Sequence, residues 1–371
     1  MYLQSIINSE EFKKATAMCE QELMEEKEAD LAARHGKLAF QTGQKVDEYT
    51  IKECIASTNM SRIWLAEDNR AKECVIKQQN LDTAFLNYHS AEREALLHME
   101  FEHPNLVNSM DPFVMDTAGR TMPLVKYVSN KDLRFTPPEG EGVIHIPMEL
   151  LATDVTNYVG KPNSQGRLSN DFMRKLQEFM YSSAKLINTF HENELVLFDF
   201  NHSQCMFDNN GILKVFDLGS VDDECGAIME DDILAATPQY MPPHQQSPFY
   251  AEDPYIHSSL DVYALGVSAL ELMLPLVIKS DEKLKKVMMM PDKRALLKFV
   301  ESTGNVPFHL INTIDLCLTS THPETHGTEY EFSAKKLLDR LESMVEIEQL
   351  EKPKTGRGLY THGRYKDPEY R

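Results

Sequence analysis

One lysine and three carboxylates punctuate this chain, each beside a segment with its own local preference: Val75-Ile76-Lys77, Glu94, Asp199 and Asp217-Leu218-Gly219. Tyr49 to Ile55 and Arg62 to Glu67 read as strands framing a turn, and Glu73 to Lys77 reads as a third strand closed by the lysine. Glu94 lies where Ala91, Leu96, Leu97 and Met99 stand among Glu and Arg, a helical pattern that ends before His103-Pro104-Asn105-Leu106-Val107. Further on the preference turns helical. A helix is predicted from about 170 to 191, ending at His191-Glu192-Asn193. The apolar stretch from Ala264 to Ile278, interrupted by Glu271 and Pro275, predicts a buried helix and is too short for a membrane span. Strands early and helices late point to an α+β architecture. The region over 47–149 is mostly strands plus one helix, and that over 150–346 is mostly helical.

Composition narrows the partners. A chain of 371 residues, 42% hydrophobic, has core enough for one two-lobed domain or two medium ones. With 38 basic side chains against 58 acidic ones the formal net charge is −20. Such a chain has no general attraction for phosphate backbones or anionic lipid, so neither a nucleic-acid role nor a membrane-surface role is expected, and the sequence predicts no membrane-spanning segment. The cysteines (Cys19, Cys54, Cys74, Cys205, Cys225 and Cys317) are scattered without metal-ligand spacing, and so are the 13 histidines. Reduced thiols in a cytoplasmic protein is the plain expectation, with the nucleus left open. Gln4, Asn8 and Glu10 interrupt any secretory apolar run at the amino terminus.

Around these regions the sequence predicts a helical N-terminal extension over 1–46 and a basic flexible tail over 347–371. Asn8 and Glu11 stand at capping-box distance, and Phe12, Ala15, Cys19 and Leu23 then recur at helical spacing, predicting a helix over about 9–38. Its narrow apolar stripe suits a solvated helix packed on the domain or a docking helix for a partner. The tail folds back on the acidic body or binds a partner. The stretch Asp116 to Gly142, with Pro137-Pro138, is expected as a surface insertion. Met288-Met289-Met290 reads as adaptable core packing, and His202 as a loop residue before it reads as a base.

In their order and spacing these landmarks resemble the eukaryotic protein-kinase superfamily, from about residue 49 to 346. Arg93-Glu94-Ala95-Leu96-Leu97, leading to His103-Pro104-Asn105, is similar to the family's ion-pairing helix and the strand approach behind it. Met148-Glu149-Leu150-Leu151 looks like the hinge, with Met148 as gatekeeper. Leu197-Phe198-Asp199 stands where His-Arg-Asp is expected, and Lys214-Val215-Phe216-Asp217-Leu218-Gly219 resembles the strand and Asp-Phe-Gly motif. Ala236-Thr237-Pro238-Gln239-Tyr240-Met241-Pro242-Pro243-His244 and Asp261-Val262-Tyr263-Ala264-Leu265-Gly266 resemble the end of the activation segment and the helix that anchors the large lobe. The resemblance implies the bilobal kinase fold. It puts Lys77 on the ATP phosphates, Glu94 behind Lys77, Asp199 at the base position and Asp217 at the metal. Ile63, Val75, Met148 and Met206 would surround the adenine.

Departures from the pattern are equally specific. Ala56-Ser57-Thr58-Asn59-Met60-Ser61-Arg62-Ile63 replaces the glycine-rich loop and keeps none of its glycines, which weakens the backbone approach to phosphates. In the catalytic loop Asn201 replaces the lysine that steadies the γ-phosphate. Gln204 replaces the metal-binding Asn and is one methylene longer. Phe198 replaces the Arg that receives a loop phosphate, and the segment from Ser220 to Ala236 is acidic and contains neither Thr nor Tyr. His244 and His326 stand where the family keeps a buried Glu–Arg pair, so both charges are absent together. The sequence therefore favours a divergent member resembling a pseudokinase. That means a signalling scaffold or allosteric regulator of protein partners, with weak or no ATP binding, at most one well-held Mg²⁺ and little or no phosphoryl transfer. The alternative is an atypical active Ser/Thr protein kinase, because Lys77, Glu94, Asp199 and Asp217 are retained.

Overall fold

The structure, a computed structural model, describes residues 40–57, 61–80, 88–115, 119–129, 143–160, 169–224, 236–245, 257–278, 280–321 and 332–351. The expected 9–38 helix, the tail beyond 351, the centre of the glycine-loop position (58–60) and His326 lie outside these residues.

The small lobe is built on one antiparallel sheet in the order β1-β2-β3-β4-β7-β5-β6. Its first strands are β1 (Lys45–Val46), β2 (Tyr49–Ser57), β3 (Ser61–Glu67) and β4 (Glu73–Asn80). Helix α1 (Tyr88–Glu100) follows, then β5 (Phe113–Met115), β6 (Thr121–Pro123), the short α2 (Leu124–Ser129) and β7 (Val143–Glu149). Period-two alternation decides what each face carries. On β4, Cys74 and Ile76 join Ile51, Trp64 and Phe113 on the outer face, while Val75 packs on the inner face with α1. On β7, Ile144, Ile146 and Met148 face α1, and the buried His145 between them stacks on Phe40 and Phe113 on the other side. Lys77 shares the inner face with Val75, beneath α1.

Two boundaries differ from the sequence expectation. Phe40 is buried against Trp64 and His145, and β1 pairs with β2, so the small-lobe core reaches upstream of residue 47. The expected surface insertion begins as part of the sheet. Thr121–Pro123 pairs with β5 as an edge strand, where a proline lacking its N–H is tolerated, and Leu124 is fully buried. Residues 130–142 of that stretch lie outside the described residues.

The large lobe opens with β8 (Thr153–Asp154), α3 (Val155–Val159) and the long α4 (Asn170–His191), whose Ser169 Oγ accepts the Phe172 N–H as an N-cap. Short strands β9 (Leu195–Val196), β10 (Cys205–Phe207), β11 (Leu213–Val215) and β12 (Asp222–Asp223) surround the loop between 197 and 204. Helices α5 (Ser259–Met273), α6 (Asp281–Met288), α7 (Lys293–Glu301), α8 (Phe308–Leu318) and α9 (Ala334–Glu351) complete the lobe. The apolar stretch is longer than the sequence suggested, because the helix begins at Ser259: α5 with its 3₁₀ extension, Ser259–Leu276, is apolar and long enough to cross a membrane, but 89% of it is buried inside the lobe. It serves as the central post, with α4 on one side and α8 on the other. A Cβ on Gly266 would stand 2.6 Å from the Cys317 Cβ, so only glycine lets α5 and α8 approach this closely. Met288 and Met290 are buried in the same core, as expected of gap-filling methionines.

Candidate active site

Alternation on β4 aims Lys77 at α1, and helical packing aims Glu94 back at it. Lys77 Nζ donates to Glu94 Oε1 at 2.6 Å and to Asp217 Oδ1 at 2.8 Å. Lys77 and Glu94 are both buried. Gln79, two residues along the same face of β4, donates its amide to Glu94 Oε2. His98, one turn along α1, places Nε2 at 3.7 Å from Glu94 Oε1, and the Leu218 N–H faces the same oxygen at 3.4 Å. Burial opposes both charges, yet the partners win. Asp217 and Glu94 hold the Lys77 ammonium above its ordinary range, and Lys77 and His98 hold the Glu94 carboxyl below its own.

Asp217 is the open member of this group, with its side chain 37% exposed, and Gly219 N–H donates to its Oδ1 at 3.2 Å. The side chains that the resemblance places around adenine lie on the same side. Ile63 is the register partner of Lys77, and Val75 that of Met148. Ile63, Val75 and Met206 are half-buried. Met148 is buried at the back, clustered with Ala95, Ile144 and Ile146.

The catalytic loop hangs from α5. Asp261, fully buried in the first turn of that helix, accepts Leu197 N–H at 2.8 Å and Phe198 N–H at 2.9 Å, and its Oδ2 lies 2.9 Å from His191 Nε2. These bonds hold Phe198 at φ 65°, a left-handed conformation that a bulky residue rarely adopts. The Phe198 ring joins Val196, Ala236, Met241 and Leu260 in an apolar cluster between the catalytic loop and the end of the activation segment. Where a phosphate receptor would stand, the structure has a hydrophobic contact.

The turn presents Asp199. Its Oδ1 accepts Thr237 N–H at 2.6 Å, and its Oδ2 accepts the Gln204 amide at 2.8 Å. Burial pushes the Asp199 carboxyl up to about 6, against the lowering effect of the Thr237 and Gln204 bonds. Asn201 turns inward. Its Oδ1 caps the 3₁₀ turn His202–Gln204 by accepting from Ser203 N–H and Oγ–H, and its amide donates to the Asp199 carbonyl. His202 is a loop residue facing away: its N–H donates to Ser268 Oγ, and its ring lies beside Tyr240 and Glu271.

A titration follows from Asp199. Its folded value lies above its ordinary 3.8, so the folded state holds that proton more tightly than the unfolded chain. The group therefore favours folding at low pH, and the benefit is lost as pH rises from about 4 through about 6. A tenfold difference in proton affinity between the two states is worth about 1.4 kcal/mol. Asp199→Asn is expected to gain up to about 3 kcal/mol on wild type between pH 4 and pH 7. Urea unfolding of both proteins across that range measures the difference, and a pH-independent difference would contradict the buried carboxyl.

The sequence pattern singles out Lys77, Glu94, Asp199, Asp217, Gln204 and the apolar wall; in the structure Lys77 is bonded to Glu94 and Asp217, and Asp199 to Gln204. The pattern misses the supports of Glu94, although the signal is there: Gln79 follows Lys77 at strand spacing and His98 follows Glu94 at helical spacing. It also misses Thr237 as a donor to Asp199.

The chain matches the family described as protein kinase domain over residues 49–347. It belongs to the protein kinase family. Serine/threonine-protein kinase drp72 of Corynebacterium efficiens is 26% identical to this kinase domain over 235 residues, 61% of the present chain and 38% of the relative. Serine/threonine-protein kinase PknA of Corynebacterium glutamicum is 24% identical over 233 residues, 61% of the chain and 43% of the relative. The matched region thus spans less than half of either relative.

The site fits the phosphate arm of a nucleotide: a buried ammonium stands pinned beside a part-exposed carboxylate, under an apolar wall. For a hard cation, Asp217 offers a carboxylate and Gln204 an amide oxygen, while the Gln204 nitrogen is bonded to Asp199.

Proposed function

We propose that this kinase domain binds ATP weakly through Lys77 and acts chiefly as a pseudokinase, a signalling scaffold or allosteric regulator of protein partners with little or no phosphoryl transfer. The observation that carries this reading is the use made of the two catalytic-loop amides. Asn201 is buried and bonded to Ser203, so no cation from this loop reaches toward a γ-phosphate, and Gln204 donates its amide nitrogen to Asp199, which fixes where its oxygen, the one atom it could lend a metal, can lie. ATP supplies a phosphoryl group when bound, and Mg²⁺ counters its charge. Lys77 provides the positive anchor, Glu94 keeps that anchor from swinging away, and Asp217 has room for one cation. Phosphate stabilisation by a lysine at position 201 is missing, and an effect of that kind is worth several kcal/mol in a transition state.

A second reading, a Ser/Thr-directed kinase such as the two relatives are named, has one observation in its favour. Asp199 is in place and mostly ionised at pH 7, able to accept a hydroxyl proton.

Thermal shift with ATP, with and without Mg²⁺, and transfer of label from γ-labelled ATP separate the readings. We expect a small rise in Tm that Mg²⁺ increases little, label transfer no greater than that of Asp199→Asn, and equal recovery of cellular partners by both proteins. A fall in transfer of about 10²-fold in Asp199→Asn would establish the active kinase instead. Deletions that probe the N-terminal extension for partner binding are best ended at residue 38, because Phe40 belongs to the small-lobe core.

A further inference from the structure

We propose that His98 is a positioning residue that takes up a proton when nucleotide engages Lys77, and then holds Glu94 as a second cation. This proposal rests on the proposed nucleotide site and adds a proton linkage to it. Lys77 Nζ bonds Glu94 Oε1 at 2.6 Å and Asp217 Oδ1 at 2.8 Å, so one ammonium serves two carboxylates and the group is one negative charge in excess. Glu94, its inner member, has no exposure. A phosphate arriving at Lys77 brings further negative charge to the same ammonium. Glu94 is then left with too little positive charge beside it, and a buried carboxylate in that position needs another cation or a proton.

His98 is placed to supply that cation. Its side chain is fully buried one turn along α1, with Nε2 3.7 Å from the Glu94 oxygen that Lys77 uses. Among the described residues neither ring nitrogen has a hydrogen-bond partner, and neither has Gln79 Oε1, whose amide nitrogen is on Glu94. Orphaned polar atoms in a packed lobe need a reason. A donor held in reserve beside an under-compensated carboxylate is one. The charges around the ring also favour a proton there. On α1 itself Glu94 faces it. From β4 come Lys77 and Gln79, and from the segment after β11 come Asp217, beyond Lys77, and the Leu218 N–H, 3.4 Å from the same Glu94 oxygen. The β7 side chains packed on α1, Ile144, Ile146 and Met148, carry no charge. Ser109 Oγ donates to the His98 carbonyl at 2.9 Å and anchors this turn, so a side-chain movement alone closes the gap to Glu94. The proton comes from solvent and enters at the ring nitrogen that lacks one, which makes both nitrogens donors.

Removing the ammonium outright tests the second cation without nucleotide. In Lys77→Met the folded protein should hold the His98 proton more tightly than the unfolded chain does, so the benefit is present at low pH and is lost as pH rises. Urea unfolding, followed by the fluorescence of Trp64, should find Lys77→Met more stable than Lys77→Met/His98→Gln at about pH 6, with the gap closed by about pH 8. His98→Gln in the wild-type background should open a gap that changes little with pH. Titration with a fluorescent ATP analogue tests the linkage itself. Uptake of one proton strengthens binding by up to about tenfold per pH unit lowered, and wild type is expected to gain about threefold to tenfold more than His98→Gln over that unit. A Lys77→Met protein no more stable at low pH than its double variant, whether both fold or neither does, overturns His98 as the second cation. Equal pH dependence of nucleotide affinity in wild type and His98→Gln overturns its part in the nucleotide site. A wild-type protein that binds no nucleotide sinks the proposed ATP site, and the unfolding result still decides whether His98 compensates Glu94.

Discussion

Lys77→Met is expected to destabilise the unliganded protein by about 3–5 kcal/mol, besides abolishing any ATP-induced rise in Tm. The substitution removes the ammonium that compensates Glu94, a carboxylate with no exposure, and leaves it with Gln79, the Leu218 N–H and a more distant His98. A buried charge stripped of its partner is far more costly than the intact pair is favourable. The lone tryptophan, Trp64, is buried in the small-lobe sheet and reports this lobe's unfolding by fluorescence during urea titration. The double variant Lys77→Met/Glu94→Leu should recover much of the lost stability while remaining unable to bind nucleotide. A single-variant loss below about 1 kcal/mol would show that Glu94 is not a buried charge dependent on Lys77. The same expectation warns against using Lys77→Met alone as a binding-dead control, because its cellular effects mix lost nucleotide with lost fold.

Asp261→Ala is expected to cost about 3–5 kcal/mol and to release the catalytic loop. The carboxylate accepts from the N–H groups of both Leu197 and Phe198, and each donor left buried without a partner costs about 1–3 kcal/mol. It also supports Phe198 in a left-handed conformation that would otherwise relax. Asp261→Asn keeps one carbonyl oxygen and should lose roughly half as much. Urea unfolding gives the stability, and hydrogen exchange at residues 197–199 gives the local release. Protection at those amides that survives Asp261→Ala would contradict the proposed support.

Much of this molecule is legible because its landmarks are local. The period-two pattern around Val75 and Lys77, the capped start of α4 at Ser169 and the all-apolar α5 each announce their element, and the motif order then brings them into one bilobal fold. Tertiary partnerships are less legible. Nothing near Phe40 marks it as core, because its burial depends on Trp64 and His145 from distant strands. Thr121-Met122-Pro123 looks like loop chemistry, since proline deters a strand everywhere but an edge. The changed residues at 201 and 204 show in sequence what the family position has lost. Only the folded arrangement shows the new hydrogen bonds, because an amide's choice among neighbours depends on distances that spacing does not encode.

Phe198 changes the physical character of the join between the catalytic loop and residues 236–241. Its cluster with Val196, Ala236, Met241 and Leu260 presents no charge for counterions to screen and no esterified group for a phosphatase to remove. Its strength comes from water released on burial, a driving force that fades as temperature falls. This apolar part of the seam is therefore not screened by salt and weakens with cold, while the Asp199 carboxylate holds Thr237 N–H across the same join.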